Sequence, residues 1–432
     1  MPGSEGDGEG LRTAPRAAAS DGRQRKGGSK RERRRAELVA IASAEINEHG
    51  VRGLVLADVA ERAGMTKANL TYYFRRKEDL AAACFDRAID AYKAMIADAS
   101  AAADPEARLA ELFRLYFDQA ARVQAGEESP LAILSDIRAL EETEQERAVA
   151  RYGEMLLAAA ALLAPQPASE GEILRSVPRA QMILVQLFWS AAWSSQYAPD
   201  DYPQVARRLF AILARGLTPG EPGWNGDWAR RAKEIAHGDS PDDRAEFFRT
   251  ATREINRLGF RGASIDRIAA GMKLTKGAIY HHFDTKDALL EACFERSFAH
   301  MWRIIRAAEA DGGSPQGQLV TVIVALVAFQ TGDEGPFLRD TALTALRSER
   351  RAVVLGEWNR IILHLAAMVT EGIAAGEVRA VDALLAAQAI SATVNAADEI
   401  NRFLPENLAR NIAELCARPL LFGVFSEKLP FA

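Results

Sequence analysis

The sequence predicts an all-α protein that contains two copies of one helical module. Residues 45–87 and 254–296 align without a gap at a constant offset of 209 (254 − 45), and 16 of the 43 positions are identical. Outside these segments, apolar residues recur at helical spacing and no stretch shows the alternating pattern of a β-strand. So long a period indicates one module that was duplicated and fused, rather than a solenoid of stacked repeats.

Length and composition place the chain among soluble globular proteins. At 432 residues it is longer than one ordinary core, so we expect at least two domains. Three cysteines, none of them in a CxxC pair, argue against a disulfide framework or a zinc module. The sequence has no long uncharged apolar run and no signal pattern at its start, which predicts a cytoplasmic protein without a membrane span. No cofactor is expected.

The net charge of −5 conceals a strongly basic segment near the N-terminus. Residues 23–35 hold eight Arg and Lys residues and one Glu, a local charge of +7, which leaves −12 (−5 − 7) for the rest of the chain. A basic segment on an acidic body favours local contact with a polyanion. The alternative interpretation is a solubilising tail. Residues 1–30 are rich in Gly, Ser, Ala and Arg, and we predict that they form a disordered arm.

Each module has the pattern of a helix followed by a helix-turn-helix. The first predicted helix covers residues 31–49 and is followed by Gly50; its counterpart in the second module is followed by Gly259. Glycine is favoured where a helix ends in a left-handed turn. Thr66 and Thr275 are candidate N-caps of the third helix in each module. A short helix, a tight turn and a capped helix together indicate a helix-turn-helix.

The module residues also match the signature of a known family. The second module carries the match in Ser264, Ile268-Ala269, Thr275 to Phe283, and Lys286 to Leu289. The first module carries it in Val59-Ala60, Gly64, Thr66-Lys67, Leu70, Tyr73-Phe74, and Lys77 to Leu80. The chain resembles the TetR family of one-component regulators, as two units fused head to tail. The resemblance implies heads that bind operator DNA, each with a helical bundle that binds an effector and pairs subunits.

The domain organisation follows from the repeat, the resemblance and the linker-like composition of TPGEPGWNGDW at 218–228. We predict a disordered basic arm over 1–30, a helix-turn-helix domain over 31–80, a helical ligand-binding and dimerisation domain over 81–217, a linker over 218–240, a second helix-turn-helix domain over 241–289 and a second helical domain over 290–432. The helices from about 176 to 216 and from 381 to 422 lie where the family pairs its subunits.

The resemblance implies that the third helix of each module lies in the DNA major groove with its N-terminal residues at the base edges. The residues at those positions are Thr66, Lys67 and Asn69 in the first module and Thr275, Lys276 and Ala278 in the second. Asn can pair with adenine, whereas Ala can meet only a thymine methyl group. We therefore expect two unlike reading heads and an asymmetric operator.

Further residues are expected to contact phosphate and sugar, which sets position rather than sequence. They are Tyr72, Tyr73, Lys77, Ser264, Tyr280, His281, His282 and Lys286, with packing in the core as the alternative for His282. The arginines before the first helix, Arg31, Arg33, Arg34 and Arg35, would enter the minor groove. The alternative for them is a nonspecific electrostatic contact. Phe74 and Phe283 are expected in the core.

The helical domains are implied to supply a pocket for a small apolar effector. Candidate lining residues are Met182, Gln186, Trp189 and Trp193 in the first half, and Trp358, His364, Met368, Asn395 and Asp398 in the second. An aromatic stripe at helical spacing is also typical of a core or a dimer interface, so that interpretation stays open. The expected assembly is an intramolecular pseudo-dimer on a double-stranded operator. A second possibility is that two such chains pair further into a homodimer, which gives four heads and a longer operator.

Both modules depart from the family pattern. Val55 stands where a Ser or Thr hydroxyl normally caps the second helix, and losing such a cap costs about 1 kcal/mol. Ala68 and Thr71 replace a Gly and a Tyr in the first module, and Lys273 replaces a Gly in the second. One alternative function is therefore a helical partner-binding protein whose first head no longer binds DNA.

An enzyme with a helical body is the other alternative. The sequence contains no nucleotide-binding loop, no GxSxG and no His, Cys or carboxylate cluster at metal-ligand spacing. Its six histidines are scattered along the chain. We therefore predict a regulator rather than an enzyme, with repression as the implied default.

Overall fold

The computed structural model describes residues 21–219, 226–237, 245–271, 283, 285–403 and 412–426. Within these ranges the chain forms sixteen α-helices and no β-strand, so the predicted all-α fold is confirmed. The first half contains α1 (Asp21–His49), α2 (Leu56–Arg62), α3 (Lys67–Thr71), α4 (Lys77–Ala99), α5 (Pro105–Gln124), α6 (Glu142–Leu163), α7 (Glu170–Ser190) and α8 (Tyr202–Arg215).

The second half has one additional helix in front and then follows this order, except that the residues equivalent to α3 lie outside the described ranges. It contains α9 (Gly226–Ala236), α10 (Ala245–Gly262), α11 (Ile265–Gly271), α12 (Lys286–Ala310), α13 (Pro315–Thr331), α14 (Ser348–Ala374), α15 (Ala383–Phe403) and α16 (Ile412–Phe422). A 3₁₀ helix precedes α6, at Leu134–Ala139, and another precedes α14, at Asp340–Ala345. These two short helices occupy equivalent places in the two halves.

Each helix-turn-helix domain begins with a helix that stops at a glycine. α1 ends before Gly50 (φ 70°), and the equivalent break inside α10 falls at Gly259 (φ 70°). Glycine adopts a positive φ readily, whereas residues with a Cβ atom are strained there. Both glycines were predicted to end the first helix of their module. Sequence alone therefore located these turns.

The helical domains behind the two heads share one packing scheme. In the first half α4 packs on α5 and α6, while α6 packs on α7 and α5 packs on α8. In the second half α12 packs on α13 and α14, while α14 packs on α15 and α13 packs on α16. The equivalent residues Phe85 and Phe294 (85 + 209 = 294) are both buried in these cores. Burial of such large apolar side chains is the main favourable contribution to each bundle.

The two halves meet at a junction that is formed by α7 and α8 of the first half against α15 and α16 of the second. Leu217 N donates to Leu420 O at 3.1 Å, and Val424 N donates to Leu213 O at 2.9 Å. The helices that the resemblance assigned to subunit pairing thus pack together within one chain. We call this surface the junction.

Two predicted boundaries differ from the structure. α1 begins at Asp21, so the last ten residues of the predicted disordered arm belong to a helix. The predicted linker over 218–240 contains α9, which packs against α13 and α12. Ala232 and Ala236, four residues apart, are buried on that side, and Arg303 donates to the carbonyls of Ile235 and Ala236 at 2.6 and 2.9 Å. Two alanines among Pro, Gly and charged residues were too weak a pattern to reveal this helix.

α14 is the longest apolar helix in the second half. By length and composition alone it could cross a membrane. In this structure it packs against α12, α13 and α15, with Ile361 and Ile362 buried on its inner side. Core helices of bundles meet the same criterion, so the finding does not indicate a membrane protein.

Candidate nucleic-acid interface

The first helix-turn-helix is formed by α2, a tight turn and α3. The turn contains Gly64 (φ 63°), a conformation that favours glycine. Thr66 is the N-cap of α3, because its hydroxyl accepts a hydrogen bond from Asn69 N at 3.3 Å. Leu70 and Phe74 are buried, and they anchor α3 to the rest of the domain. The burial of these two side chains fixes the position of α3, whereas the N-terminal end of the helix is exposed to solvent.

The N-terminal end of α3 presents the residues expected to read bases. Thr66, Lys67 and Asn69 are all exposed. The hydroxyl of Thr71 donates to Lys67 O at 2.8 Å, so this residue serves the helix backbone. A positive, uncovered helix end with an amide and an ammonium group suits both a phosphate and a base edge.

The two tyrosines after α3 have different surroundings. Tyr72 has 69% of its side chain exposed, whereas Tyr73 is half-buried against the core. Their rings meet edge to face at 5.3 Å. The Arg31 guanidinium lies 5.3 Å from the Tyr72 ring centre, and the Arg35 guanidinium lies 4.8 Å from that of Phe74. These contacts place Arg31 and Arg35 of α1 beside the C-terminal end of α3 and the residues that follow it.

The predicted basic arm is thus partly a helix that is attached to the head. Arg34 donates to Ala63 O at 2.6 Å and pairs with Glu37 at 2.6 Å, so it closes the C-terminal end of α2. Arg33 is exposed. Arg31, Arg33, Arg34 and Arg35 thus lie on α1 rather than on an extended arm.

The start of α4 shows a feature that sequence reasoning missed. Arg76, the N-cap of α4, pairs with Asp79 at 2.9 Å and with Glu144 at 2.8 Å. The hydrogen bond from this guanidinium lowers the pKa of the Asp79 carboxyl group below its ordinary value. Arg76 is therefore engaged with the body of the protein, while Lys77 begins α4 and is half-buried.

Only part of the second head lies in the described ranges. Its second helix, α11, is capped by Ser264, whose hydroxyl accepts from Arg267 N at 3.1 Å. The equivalent residue in the first head, Val55, provides no side-chain cap. The remaining predicted contacts lie outside the described residues, as does the turn residue Lys273: Thr275, Lys276, Ala278, Tyr280, His281 and His282.

Lys286 differs from the prediction of a phosphate contact. Its ammonium group donates to Phe260 O and lies 4.3 Å from the centre of the Phe260 ring. Partial burial lowers the pKa of this ammonium group from its usual value. An inward hydrogen bond was not visible in the sequence, because the partner is a backbone carbonyl 26 residues away.

In each half, one asparagine and one arginine that the sequence analysis did not assign join the helix-turn-helix domain to the helical domain behind it. Asn47 donates to Leu131 O at 2.8 Å and accepts from Ile133 N at 2.9 Å. Its repeat equivalent, Asn256, donates to Phe337 O at 2.8 Å and accepts from Arg339 N at 3.0 Å. The same segments are also held by equivalent arginines. Arg87 donates to Ser129 O and Pro130 O, and Arg296 donates to Glu334 O, all at 2.9 Å.

The identical positions of the repeat could have identified these asparagines and arginines from the sequence. Asn47 and Asn256 belong to the identical EIN frames, and Arg87 and Arg296 end the identical ACF.R frames. Identity between two copies that otherwise differ at most positions indicates a shared structural requirement. Here that requirement is the attachment of the segments before the two 3₁₀ helices to the first and fourth helices of each head.

Most of the predicted ligand-binding residues have structural partners. Gln186 is buried in the junction, where its amide donates to Ala389 O at 2.9 Å and to Thr393 Oγ1 at 3.0 Å. His364 lies 2.6 Å from a Glu309 carboxylate oxygen. The others are accounted for as follows: Asp398 pairs with Arg339, Trp193 packs on Phe117 and Tyr197, and Met182 and Met368 are buried in the core.

Two of the candidates line one cavity, and they come from opposite halves. Trp189 of α7 and Asn395 of α15 both face a cavity of about 200 Å³ at the junction. The ring centre of Trp358 lies 5.6 Å from that of Trp189, so Trp358 packs against a residue of the cavity wall without lining the cavity itself. We call this space the junction cavity. The prediction of one pocket within each half did not anticipate it.

Comparison with known proteins agrees with the repeat. Residues 38–84 and 247–293 match the family model of bacterial regulatory proteins of the tetR family, and the two matches differ by the same offset of 209 (247 − 38). The TetC protein of transposon Tn10 from Escherichia coli is 47% identical over 38 residues, which are 9% of this chain and 19% of TetC. The chain thus matches about a fifth of that relative's length.

Solved structures similar to this chain each cover about two fifths of it. Apo AibR is 21% identical with a TM-score of 0.35, covering 41% of this chain and 97% of AibR. PfmR from Thermus thermophilus, a TetR family transcriptional regulator, is 23% identical with a TM-score of 0.34, covering 41% and 98%. FadR from Bacillus subtilis, solved with stearoyl-CoA, is 21% identical with a TM-score of 0.29, covering 40% and 97%.

Proposed function

We propose that this chain, which belongs to the TetR family as two fused units, is a transcription regulator with two unlike reading heads. The observation that carries the proposal is the open N-terminal end of α3, where exposed Lys67 and Asn69 follow the N-cap Thr66. An enzyme function has no comparable support. No group of three or more His, Cys, Asp or Glu residues within the described ranges could hold a metal ion.

The junction supports the pairing part of the proposal. Because α7 and α8 pack against α15 and α16, the two halves stand to each other as two subunits of a dimer would. A dimeric helix-turn-helix protein binds two half-sites about one DNA turn, roughly 34–36 Å, apart. We propose the same spacing for the two heads of this chain, on an operator whose half-sites differ.

The difference between the half-sites would come from the residues at the third helices. Asn69 in the first head can make a bidentate pair with adenine, which is worth about 1–3 kcal/mol against a wrong base. Ala278 at the equivalent position in the second head (69 + 209 = 278) can make only an apolar contact. One head would therefore specify adenine where the other accepts thymine.

The test begins with selection of an operator from random DNA duplexes by the full chain, followed by footprinting. Asn69→Ala is then expected to weaken binding about 10- to 100-fold, at one half-site only. Lys67→Ala and Lys276→Ala should each weaken binding at the half-site of their own head and lower the salt dependence by about one ion. Lys93→Ala is the matched control, since Lys93 lies on α4 and pairs with Glu154 at 2.9 Å.

Two results would count against the proposal. An operator with identical half-sites that both respond to Asn69→Ala and ignore Lys276→Ala would show that two chains pair through their first heads. If no selected duplex responds to either lysine substitution, the chain is a partner-binding protein instead.

Regulation is the second part of the proposal. We propose that the DNA-bound chain represses and that a small apolar effector releases it by favouring a different spacing of the heads. Such a switch requires an effector with unequal affinity for the two arrangements. The expected result is a loss of operator affinity when the effector is added and no loss when a non-binding congener is added.

A further inference from the structure

We propose that the junction cavity is a single effector site, shared by both halves, for a small apolar molecule with an anionic end group. This inference rests on the proposed regulatory function and adds the place, the number and the chemistry of the effector site. It differs from one pocket in each half, because a site that spans the junction occurs once in the chain.

The cavity walls are apolar on most sides, and each half contributes one arginine to them. The first half supplies Ile137 and Tyr152 to the wall, and the charged residues along it are Arg138 from the first half and Arg339 from the second. No carboxylate occurs among the described residues that line it. An apolar body therefore has a place to pack, and an anionic end group would meet guanidinium groups, which bind carboxylates well. Arg339 also pairs with Asp398, and Arg138 has a polar partner of its own, so the contribution of a guanidinium group to ligand binding is tested by substitution at Arg138.

The size of the cavity limits the effector. A dry cavity of about 150 Å³ holds a molecule the size of benzene. The junction cavity of about 200 Å³ is moderately larger. It therefore suits a carbon chain of roughly eight atoms or an aromatic ring with a short acid side chain. We select octanoate as the probe, with octan-1-ol as its uncharged congener of equal chain length.

Trp189 provides independent evidence for a ligand in the junction cavity. Its side chain is 9% exposed, and its indole N–H has no acceptor among the described residues. A buried donor without an acceptor carries an energetic penalty that a ligand oxygen could remove. The tryptophan is also a fluorescent reporter on the wall of the site.

The cavity is connected to the two heads through the equivalent asparagines Asn47 and Asn256. Ile133 and Arg339 line the cavity, and they are equivalent positions in the two halves. The backbone N–H of Ile133 is held by Asn47 of the first head, at 2.9 Å. That of Arg339 is held by Asn256 of the second head, at 3.0 Å. A molecule between these two residues would therefore act on both heads through one hydrogen bond on each side.

The 3₁₀ helices that follow these residues extend the connection across the junction. The segment Leu134–Ala139 of the first half packs against α10 of the second head, and Asp340–Ala345 of the second half packs against α1 of the first head. Each 3₁₀ helix thus touches the head of the other half. Separation of the two cavity walls would change the spacing of the heads rather than the shape of one head.

The first measurement is a titration of the full chain with octanoate, without DNA, followed by tryptophan fluorescence and calorimetry. We expect one site per chain and at least 10-fold weaker binding of octan-1-ol. Val149→Trp, at a residue of the wall with 40% of its side chain exposed, should abolish binding by filling the mouth. Arg138→Gln should weaken octanoate binding about 10-fold, whereas Arg207→Gln on α8 should have no effect.

A pair of tryptophan substitutions gives a matched control for the indole N–H. Trp189→Phe keeps an aromatic ring in the wall and should weaken octanoate binding about 3- to 10-fold. Trp193→Phe removes another buried indole N–H without an acceptor among the described residues, but Trp193 does not line the cavity. It should leave octanoate binding unchanged. Equal effects of the two substitutions would overturn the assignment.

The coupling to DNA is tested last. Octanoate should weaken binding to the selected operator in the unmodified chain, and Asn256→Ala should reduce that effect while octanoate still binds. Two octanoate sites per chain, or binding that neither Val149→Trp nor Arg138→Gln alters, would overturn the proposal. Because octanoate binding is measured without DNA, these outcomes are separate from a failure of DNA binding, which would overturn the proposed function instead.

Discussion

Replacing Gly216 by alanine should separate the two halves at the junction. Gly216 follows α8 with φ 73°, and a Cβ atom there would lie 2.4 Å from Leu421 O of the second half. Contact of a methyl group with an oxygen needs roughly 1 Å more than this. The facing residue, Gly423, has φ 94°, and its Cβ would lie 2.3 Å from Ala214 O. Both glycines are thus required by close backbone contact.

The expected cost follows from the bonds beside Gly216. A positive φ costs alanine about 1 kcal/mol. A shift of about 1 Å would also break the bonds from Leu217 N to Leu420 O (3.1 Å) and from Thr218 N to Leu421 O (2.9 Å). Two such bonds contribute roughly 1–3 kcal/mol. Gly216→Ala should therefore lower the free energy of unfolding by roughly 2–4 kcal/mol.

Urea unfolding followed by circular dichroism measures this loss, and small-angle scattering reports any separation of the halves. Gly126→Ala is the control, because Gly126 has φ 76° and nothing within 4 Å of its Cβ position. It should lose only about 1 kcal/mol and keep the shape of the protein. If Gly216→Ala is no more destabilising than Gly126→Ala, the close contact does not hold the halves together and the reasoning is wrong.

Three further predictions concern the heads and the buried thiols. Thr66→Ala should lower stability by about 1 kcal/mol through loss of the N-cap and should weaken operator binding, measured by urea unfolding and gel shift. Asn256→Ala leaves two buried backbone groups unpaired and should cost roughly 2–4 kcal/mol. Asn47→Ala should cost about half as much, since its loop is more exposed to water; equal costs in urea unfolding would contradict this. Burial raises the pKa of the Cys84 and Cys293 thiols to about 12. The unfolded thiols lose their protons at lower pH than the folded ones, so stability is retained below the ordinary pKa of 9.0 and falls as pH rises towards about 12. Folded chains should therefore resist a thiol reagent at about pH 8 and react only on unfolding; rapid labelling of the folded chain would contradict this.

The fold and the first head were largely accessible from the sequence. Helical periodicity, Gly50, Gly259 and the cap at Thr66 act through local backbone geometry, which depends on residues a few positions apart. The exposed face of α3 follows from the same local pattern, because buried Leu70 and Phe74 fix which side faces outward. The repeat itself indicated that this geometry occurs twice.

The junction cavity could not be predicted in the same way. Trp189 and Asn395 lie 206 positions apart (395 − 189), and only the packing of α7 on α15 brings them to one cavity. The sequence showed polar residues in an apolar helix but not their partners, so Asn395 and Asp398 were compatible with either a pocket or an interface. Similarly, the inward hydrogen bond of Lys286 depends on where the Phe260 carbonyl lies.

The sequence by itself determined that this is a tandem, all-helical protein with two helix-turn-helix motifs, because a duplicated motif and helical spacing are properties of neighbouring residues. The tertiary structure alone decided that the halves form one junction with a shared cavity, and that Asn47 and Asn256 connect this cavity to the heads. Contacts between residues far apart in the chain depend on how helices pack, and the free energy of that packing is spread over many apolar side chains with no short motif.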